Sequence, residues 1–387
     1  DAKFSKYNLP DLILDNQVIK RSDFIRKKWL DNDFFGGIST LYGKIENVDL
    51  NFGIVANQYK GKHFGNVTGV FFPQIFESEY YRNNSVKNEF AGFAKFILTK
   101  NRFEFFGDLQ LRNINYKTSI VTQGDFEGAN LNQNWLFFNP KAGINYKIAS
   151  GKFFVSAAIA NREPNRDDLF ANPETEAEKL YDFEAGLEKT LGIFSFTTNL
   201  YYMNYVNQLV LNGQINDIGE FIRVNSGQSY RAGIELGALA KLSEEWNVSG
   251  NLTLSKNQNI DFKNETSTGI EDLGNRKISF SPETIANVLV NYNPAKNFSF
   301  GLQNQFVGSQ YLDNTQNENL KLASYFLTDF NAKYSLNLKK TTVDFRLLVN
   351  NLLNKKYVNN GFVVEDSPYY FSQAGINFMF GVSFKFQ

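Results

Sequence analysis

The chain has 387 residues, 40 Lys and Arg against 40 Asp and Glu, a formal net charge of +0, one His and no Cys. Zero cysteine excludes a disulfide scaffold and any thiolate metal site, and neutrality without a basic stretch argues against a nucleic-acid partner. No run approaches the ~18 consecutive apolar residues of a spanning helix, yet 39 Phe and 19 Tyr exceed what a core requires.

Residues 1–34 mix charges with little alternation and form a loop segment that leads into the first strand. Leu12–Leu14, or Phe24 to Leu30 with Arg26, Lys27 and Lys28 on a solvated face, could make a short helix. From residue 35 the apolar residues recur at every second position, the period of a strand with one greasy and one polar face. Strands are expected at 35–44 and 48–58, then in pairs at 87–98 with 102–113, 135–148 with 152–161, and 181–190 with 193–207. Further pairs fall at 221–242 with 246–257, 283–293 with 297–308, and 323–338 with 341–351. The last strand is 374–387. There Ile376, Phe378, Phe380, Val382, Phe384 and Phe386 alternate with polar or small residues, among them Asn377, Gly381, Ser383 and Lys385.

Short polar turns near Glu46, Asn101, Gly151, Thr190, Glu244, Ala295 and Lys340 join the pairs on one side. Long polar stretches at 58–86, 114–134, 161–180, 257–282, 309–322 and 352–373 join them on the other. A soluble sandwich also alternates, but strands near the roughly 9–11 residues that cross a bilayer, with one-sided loops, point to an all-β, antiparallel transmembrane β-barrel. Aromatic girdles at the two interfaces would use the Phe and Tyr. Residues 1–34 then read as an extracellular segment and 35–387 as barrel. The count is about 15 strands, an odd number, whereas single-chain bacterial barrels are even. First and last strand both run toward the short turns, so their direct pairing would be parallel. The chain therefore reads as the C-terminal part of a larger barrel.

The loop 161–180 brings Arg162 and Arg166 together with Glu163, Asp167 and Asp168. Two guanidiniums could grip an anionic chelate, since Arg presents a fork to paired oxygens; equally, Arg–Asp pairs could hold the loop's shape. Tyr369 and Tyr370 crown the last long loop, and Tyr311 and Trp135 lie near two others, positions that suit either a ring-bearing ligand or a membrane girdle. His63, the single histidine, reads more simply as solvated than as a ligand. No acid–base pair or nucleophile setting marks an enzyme, and no metal or cofactor set stands out.

Five segments in order resemble the TonB-dependent outer-membrane receptors, in the form common in the Bacteroidetes: FIRKKWLDNDFFGG at 24–37, NREPNRDDLF at 161–170 with EKLYDFEAGLE at 178–188, INDIGEFIRVNSGQSYRAGIEL at 215–236, VGSQYLDNT at 307–315 and NNLLNKKYVNNG at 350–361. The resemblance implies a barrel of about 22 strands in the bacterial outer membrane, of which these are the last fifteen. It also implies an N-terminal plug and a TonB coupling box, neither of which stands in this sequence. In the last strand Gly381, Phe384 and Phe386 fit the family's barrel-assembly ending, while Gln387 after Phe386 departs from it. The implied function is uptake of a scarce nutrient held by extracellular loops. A ferric siderophore leads; cobalamin, oligosaccharide and haem follow, and a passive porin is the alternative. The implied partners are outer-membrane lipid, the iron chelate, the plug with the remaining strands, and the TonB complex acting through the plug.

Overall fold

The structure is a computed structural model that describes residues 2–70, 78–120, 130–215, 220–266, 269–364 and 366–386. Its main element is an antiparallel sheet of 16 strands. In hydrogen-bonded order these are Asn377–Phe386, Thr341–Asn350, Tyr325–Leu338, Phe298–Val307, Thr284–Ala295, Trp246–Thr266, Gln228–Lys241, Phe194–Val206, Glu178–Leu191, Gly151–Arg162, Asn130–Ile148, Phe103–Ile120, Ser78–Lys100, Val48–Val70 and Phe24–Ile45. Gly269–Lys277 pairs with Trp246–Thr266 off that path. Neighbours in the order are neighbours in sequence apart from the hairpins between them, an up-and-down meander.

By internal contacts the chain divides into two units, Asp1–Phe96 with Asp108–Asn139, and Ile97–Gly107 with Pro140–Gln387. In the first, the segment before the sheet folds back as a 3-10 helix, Phe4–Tyr7. Phe4 and Tyr7 close on Phe24, and Tyr7 also meets Tyr80, with ring centroids 4.7–5.2 Å apart. Phe4, Val67 and Tyr80 are fully buried there. The helix expected over 12–14 and 24–30 is instead strand, Leu12–Leu14 pairing with Gln17–Ile19 in a hairpin of its own. Phe24–Ile45 pairs in register along Val48–Val70, so the edge hydrogen bonds of Arg26, Lys27 and Lys28 decide the conformation rather than their charge pattern. Likewise much of the loops expected at 58–86 and 114–134 is strand, because Val48–Val70, Ser78–Lys100, Phe103–Ile120 and Asn130–Ile148 extend past a membrane's thickness.

In the second unit the 221–242 run is two elements. Phe221–Asn225 pairs with Leu209–Ile215 as a separate hairpin, and the sheet strand begins at Gln228. Gly227, at φ +71°, makes the turn, a backbone region where a side chain is strained, so the alternation passes through a corner. The 257–282 stretch also carries strand to Thr266 and back along Gly269–Lys277. The last strand starts at Asn377, three residues later than expected.

The apolar phase stays exposed, as on a lipid-facing surface: Val155 is 60% accessible, Phe183 51% and Leu200 53%. Toward the short turns, rings meet across strands in a ladder: Trp246 stacks on Tyr292 at 4.2 Å, Phe298 lies tilted on Tyr334 at 4.5 Å, and Phe345 stacks on Phe380 at 6.4 Å. This is the aromatic girdle that a membrane interface selects. Among the described residues no helix is long and apolar enough to cross a membrane. The strand order ends on Phe24–Ile45 at one side and Asn377–Phe386 at the other. Both are accessible along nearly their whole length on both faces.

Candidate functional site

On the long-loop side of the second unit the connections are tied together rather than splayed. Arg162 ends one strand and Glu178 opens the next, directly opposite in register, and their side chains meet at 2.9 Å. The same Glu178 carboxylate accepts the Leu209 amide at 2.8 Å, and Arg162 donates to the Leu209 carbonyl at 3.2 Å. One ion pair thus pins the start of the Leu209–Ile215 hairpin through both backbone groups. Between them the helix Arg166–Ala171 begins on a capping box: Asn165 Oδ1 accepts from the Asp168 amide at 2.7 Å, and Asp168 Oδ2 from the Asn165 amide at 2.9 Å. Asp168 is 1% exposed, and its other oxygen accepts the Arg223 amide at 3.2 Å. Arg166 packs over the Phe170 ring at 4.3 Å and pairs with Asp167 at 3.2 Å.

A second set of loops has a small core of its own, Leu312, Leu320, Leu322 and Val363 with Phe280 and Val358 against it. Tyr311 is 5% exposed and donates to Glu318 at 2.6 Å, so it sits in this core's wall. Asn314 joins the two sets. Its Nδ2 donates to the Leu211 carbonyl at 2.8 Å and its Oδ1 accepts the Ser279 amide at 2.9 Å. The near-terminal motif folds the same way. Asn351 is in the left-handed region at φ +50°, and its amide spans the carbonyls of Lys355 and Ala374 at 2.8 and 3.1 Å.

Beneath these loops lies a cavity of about 460 Å³, roofed by Leu209–Leu211 and Ile278–Pro282. Its walls are the polar phase of five strands. Register sets Met203, Arg231 and Asn257 in one row, with Asp182 beyond Met203 outside the lining, and Glu184, Tyr201, Gly233 and Ser255 in the next. Asn199, Glu235 and Thr253 follow in the row after that. Tyr201 lies across Gly233: a Cβ there would stand 2.7 Å from the phenol oxygen, so the glycine is what lets the ring lie flat. Arg231 Nη1 donates to Ser281 at 2.9 Å and Asn257 at 3.3 Å. Asn199 donates to Glu235 at 3.4 Å.

The residues named from sequence fall in different places. Arg162 and Arg166 meet in the loop described above, each with a carboxylate. Tyr369 and Tyr370 stand about half exposed on the hairpin Val358–Val364 with Ser367–Ser372, Tyr369 stacked on Phe362 at 5.2 Å. Trp135 belongs to the first unit, in Asn130–Ile148, on the face that carries buried Phe137. Gly381, Phe384 and Phe386 lie in the last strand, where Phe384 is 60% and Phe386 81% exposed. His63 is in strand, opposite Leu30. Arg231, Tyr201, Glu184 and Glu235 were not singled out. Their signal was the polar phase of the alternation, but nothing in the sequence says over which rows the loops fold.

A family model described as TonB dependent receptor-like, β-barrel, matches residues 3–352. Among solved structures the chain is similar to the ferric-catecholate import receptor Fiu from E. coli K12 in its closed form, at 16% identity and TM-score 0.70 over 91% of this chain. It is also similar to the copper transporter OprC, at 16% and 0.74 over 92%, and to the siderophore receptor PiuA from Acinetobacter baumannii, at 17% and 0.71 over 92%. It spans about half the length of each, 54%, 57% and 56% respectively. With most of its length matched by that family model, the chain belongs to the TonB-dependent receptor-like β-barrel family, whose members are outer-membrane proteins of Gram-negative bacteria.

Proposed function

We propose that this chain forms the C-terminal part of the barrel of an energy-coupled receptor that takes up a scarce nutrient, with a ferric siderophore as the leading cargo. The observation that carries the reading is the tied loop cap over a cavity lined by polar side chains. A passive pore needs only a polar conduit with a constriction of charges, whereas loops fixed to one another over a cavity suit selective binding. Import receptors for iron chelates among the structural neighbours support the siderophore reading in preference to cobalamin, oligosaccharide or haem. Arg162, Arg166, Tyr369 and Tyr370 remain the proposed loop contacts and Trp135 a further one. Gly381, Phe384 and Phe386 are the proposed assembly signal of the last strand.

The fragment reading rests on strand direction. Phe24–Ile45 and Asn377–Phe386 both run from the long-loop side to the short-turn side, so pairing them would be parallel in a fold that is otherwise antiparallel. Bare amide edges in lipid cost several kcal/mol per group, so each edge calls for an antiparallel partner strand from elsewhere in the receptor. A plug and its TonB contact belong to that same proposed remainder. Titration of the full-length protein with ferric and metal-free chelates tests the receptor reading: tight binding of the ferric form alone supports it. A large, steady conductance indifferent to any ligand favours the porin instead.

A further inference from the structure

The roof of the cavity is fixed on two sides, by Arg162 and Glu178 at Leu209 and by Asn314 and Ser279 at Leu211, the Ser279 hydroxyl donating to that carbonyl at 2.6 Å. The roof over this open-sided cavity is therefore preformed, and about 460 Å³ lies in the range of small-molecule sites. Its charges are separated by end. Under the roof stands Arg231, whose side chain bonds neutral groups, Asn257 and Ser281 from Nη1 and the Tyr205 hydroxyl. Among the described residues no carboxylate lies at ion-pair distance from it; the nearby Glu178 is already taken by Arg162 and the Leu209 amide. Toward the short turns the wall carries Glu184 and Glu235, and among the described residues neither has an ion-pair partner. Arg231 and Glu235 are four residues apart on one face of a strand, about 13 Å along it.

A guanidinium in a cavity wall can bind paired anionic oxygens, and carboxylates in the same wall a cationic nitrogen. We propose that this cavity is a site for a small zwitterionic molecule, its anionic oxygens on Arg231 and its ammonium group toward Glu184 and Glu235. The bland role for Arg231, a strut that ties the 278–282 loop to the wall through Ser281, predicts no ligand and no preference for end groups. The proposal rests on the receptor reading, whose cavity this is, and adds the class of small molecule that the cavity's charges suit.

The probes are triglycine, about 10 Å between its charged ends, its N-acetyl derivative and its C-terminal amide. They are titrated calorimetrically into the full-length protein purified from membranes in detergent. Triglycine is expected to bind, and each blocked form to bind about tenfold or more weakly, the loss of one charge-assisted contact. Arg231→Gln should lower triglycine to the level of the amide without further weakening the amide. Glu235→Gln should do the same for the N-acetyl form. Arg231→Lys keeps the charge and loses the fork, and is expected to retain part of the affinity; it decides the matter if Arg231→Gln does not fold. Three probes that bind equally, or none that binds at millimolar concentration, overturn the proposal. So does an Arg231→Gln protein that melts lower yet binds triglycine as before. Each of these results leaves ferric-chelate uptake untouched, so the two readings fail separately.

Discussion

The two sides of the second unit use carboxylates differently. On the long-loop side they hold backbone: Glu178 takes the Leu209 amide, Asp168 those of Asn165 and Arg223, and Asp329 that of Asn351 at 2.7 Å. On the short-turn side Asp344 gathers cations, with Lys385 at 3.2 Å, Lys333 at 3.4 Å and Arg346 at 3.8 Å. An amide has a direction and one place to go, so a carboxylate that caps it fixes a loop's path. A ring of long cationic side chains neutralises charge but fixes little, because each can swing. The difference teaches that shape on the loop side is built with acids.

The sharpest way to break that comparison is to remove the apolar core that the clamps surround. Leu312 is fully buried, so Leu312→Ala should cost about 2–5 kcal/mol of cap stability, read as loss of hydrogen-exchange protection in 308–324 and 358–372. The sheet strands should keep theirs. If they lost protection equally, the cap would be no separate cooperative unit. Asp168→Ala comes next. It removes the capping box and leaves the Arg223 amide without its carboxylate, which together should cost about 2–3 kcal/mol, confined to 165–172 and 221–225. Glu178→Gln should cost about 1–3 kcal/mol and free the 209–215 hairpin, seen as faster exchange at the Leu209 amide. On the other side, Asp344→Asn should leave the turn's path unchanged. Its effect should be smaller than those in the cap and should fade with added salt, since Lys385 and Arg346 are more than half exposed.

Much of the fold was legible because the alternation needs only a period and a turn signal. Ile376 to Phe386 or Phe103 to Leu111 declare their lipid face at every second residue. The clamps were legible too, as motifs: NREPNRDD contains the capping box of Asn165 and Asp168, VGSQYLDNT contains Asn314, and NNLLNKKY contains Asn351. What these motifs do was not legible, because their partners lie far along the chain. Asn314 reaches Leu211 across 103 residues and Asp168 reaches Arg223 across 55. The 24–34 segment misled because a strand that continues beyond the bilayer is free to be charged on both faces. Arg231 and Glu235 were hidden for the opposite reason: polar residues at inward positions are ordinary, and only the roof distinguishes their rows from the others.

The smallest effect concerns two acids in one cap loop. Asp313 accepts the Thr315 amide at 3.1 Å and hydroxyl at 2.8 Å, yet burial outweighs those bonds and pushes its carboxyl above the usual carboxylate range. Glu318 is exposed and goes the other way, held low by the Tyr311 hydroxyl and then by Lys321. The signs follow from linkage. A carboxyl raised by folding favours the folded loop at low pH, and that advantage is lost as pH climbs through its raised value. A lowered carboxyl stabilises above the ordinary range and loses that contribution as pH falls through its own value. In the native loop the two oppose each other around pH 4. Tyr311→Phe deletes the leading cause of the Glu318 shift and leaves Asp313 buried. The variant's loop should therefore be relatively better protected in mild acid than near neutrality, a tilt that the native loop shows less. Carboxyl carbon-13 titration of both proteins reads this directly. Glu318 should move up toward its ordinary value in the variant while Asp313 stays high, and an unmoved Glu318 would show that Lys321, not the phenol, holds it.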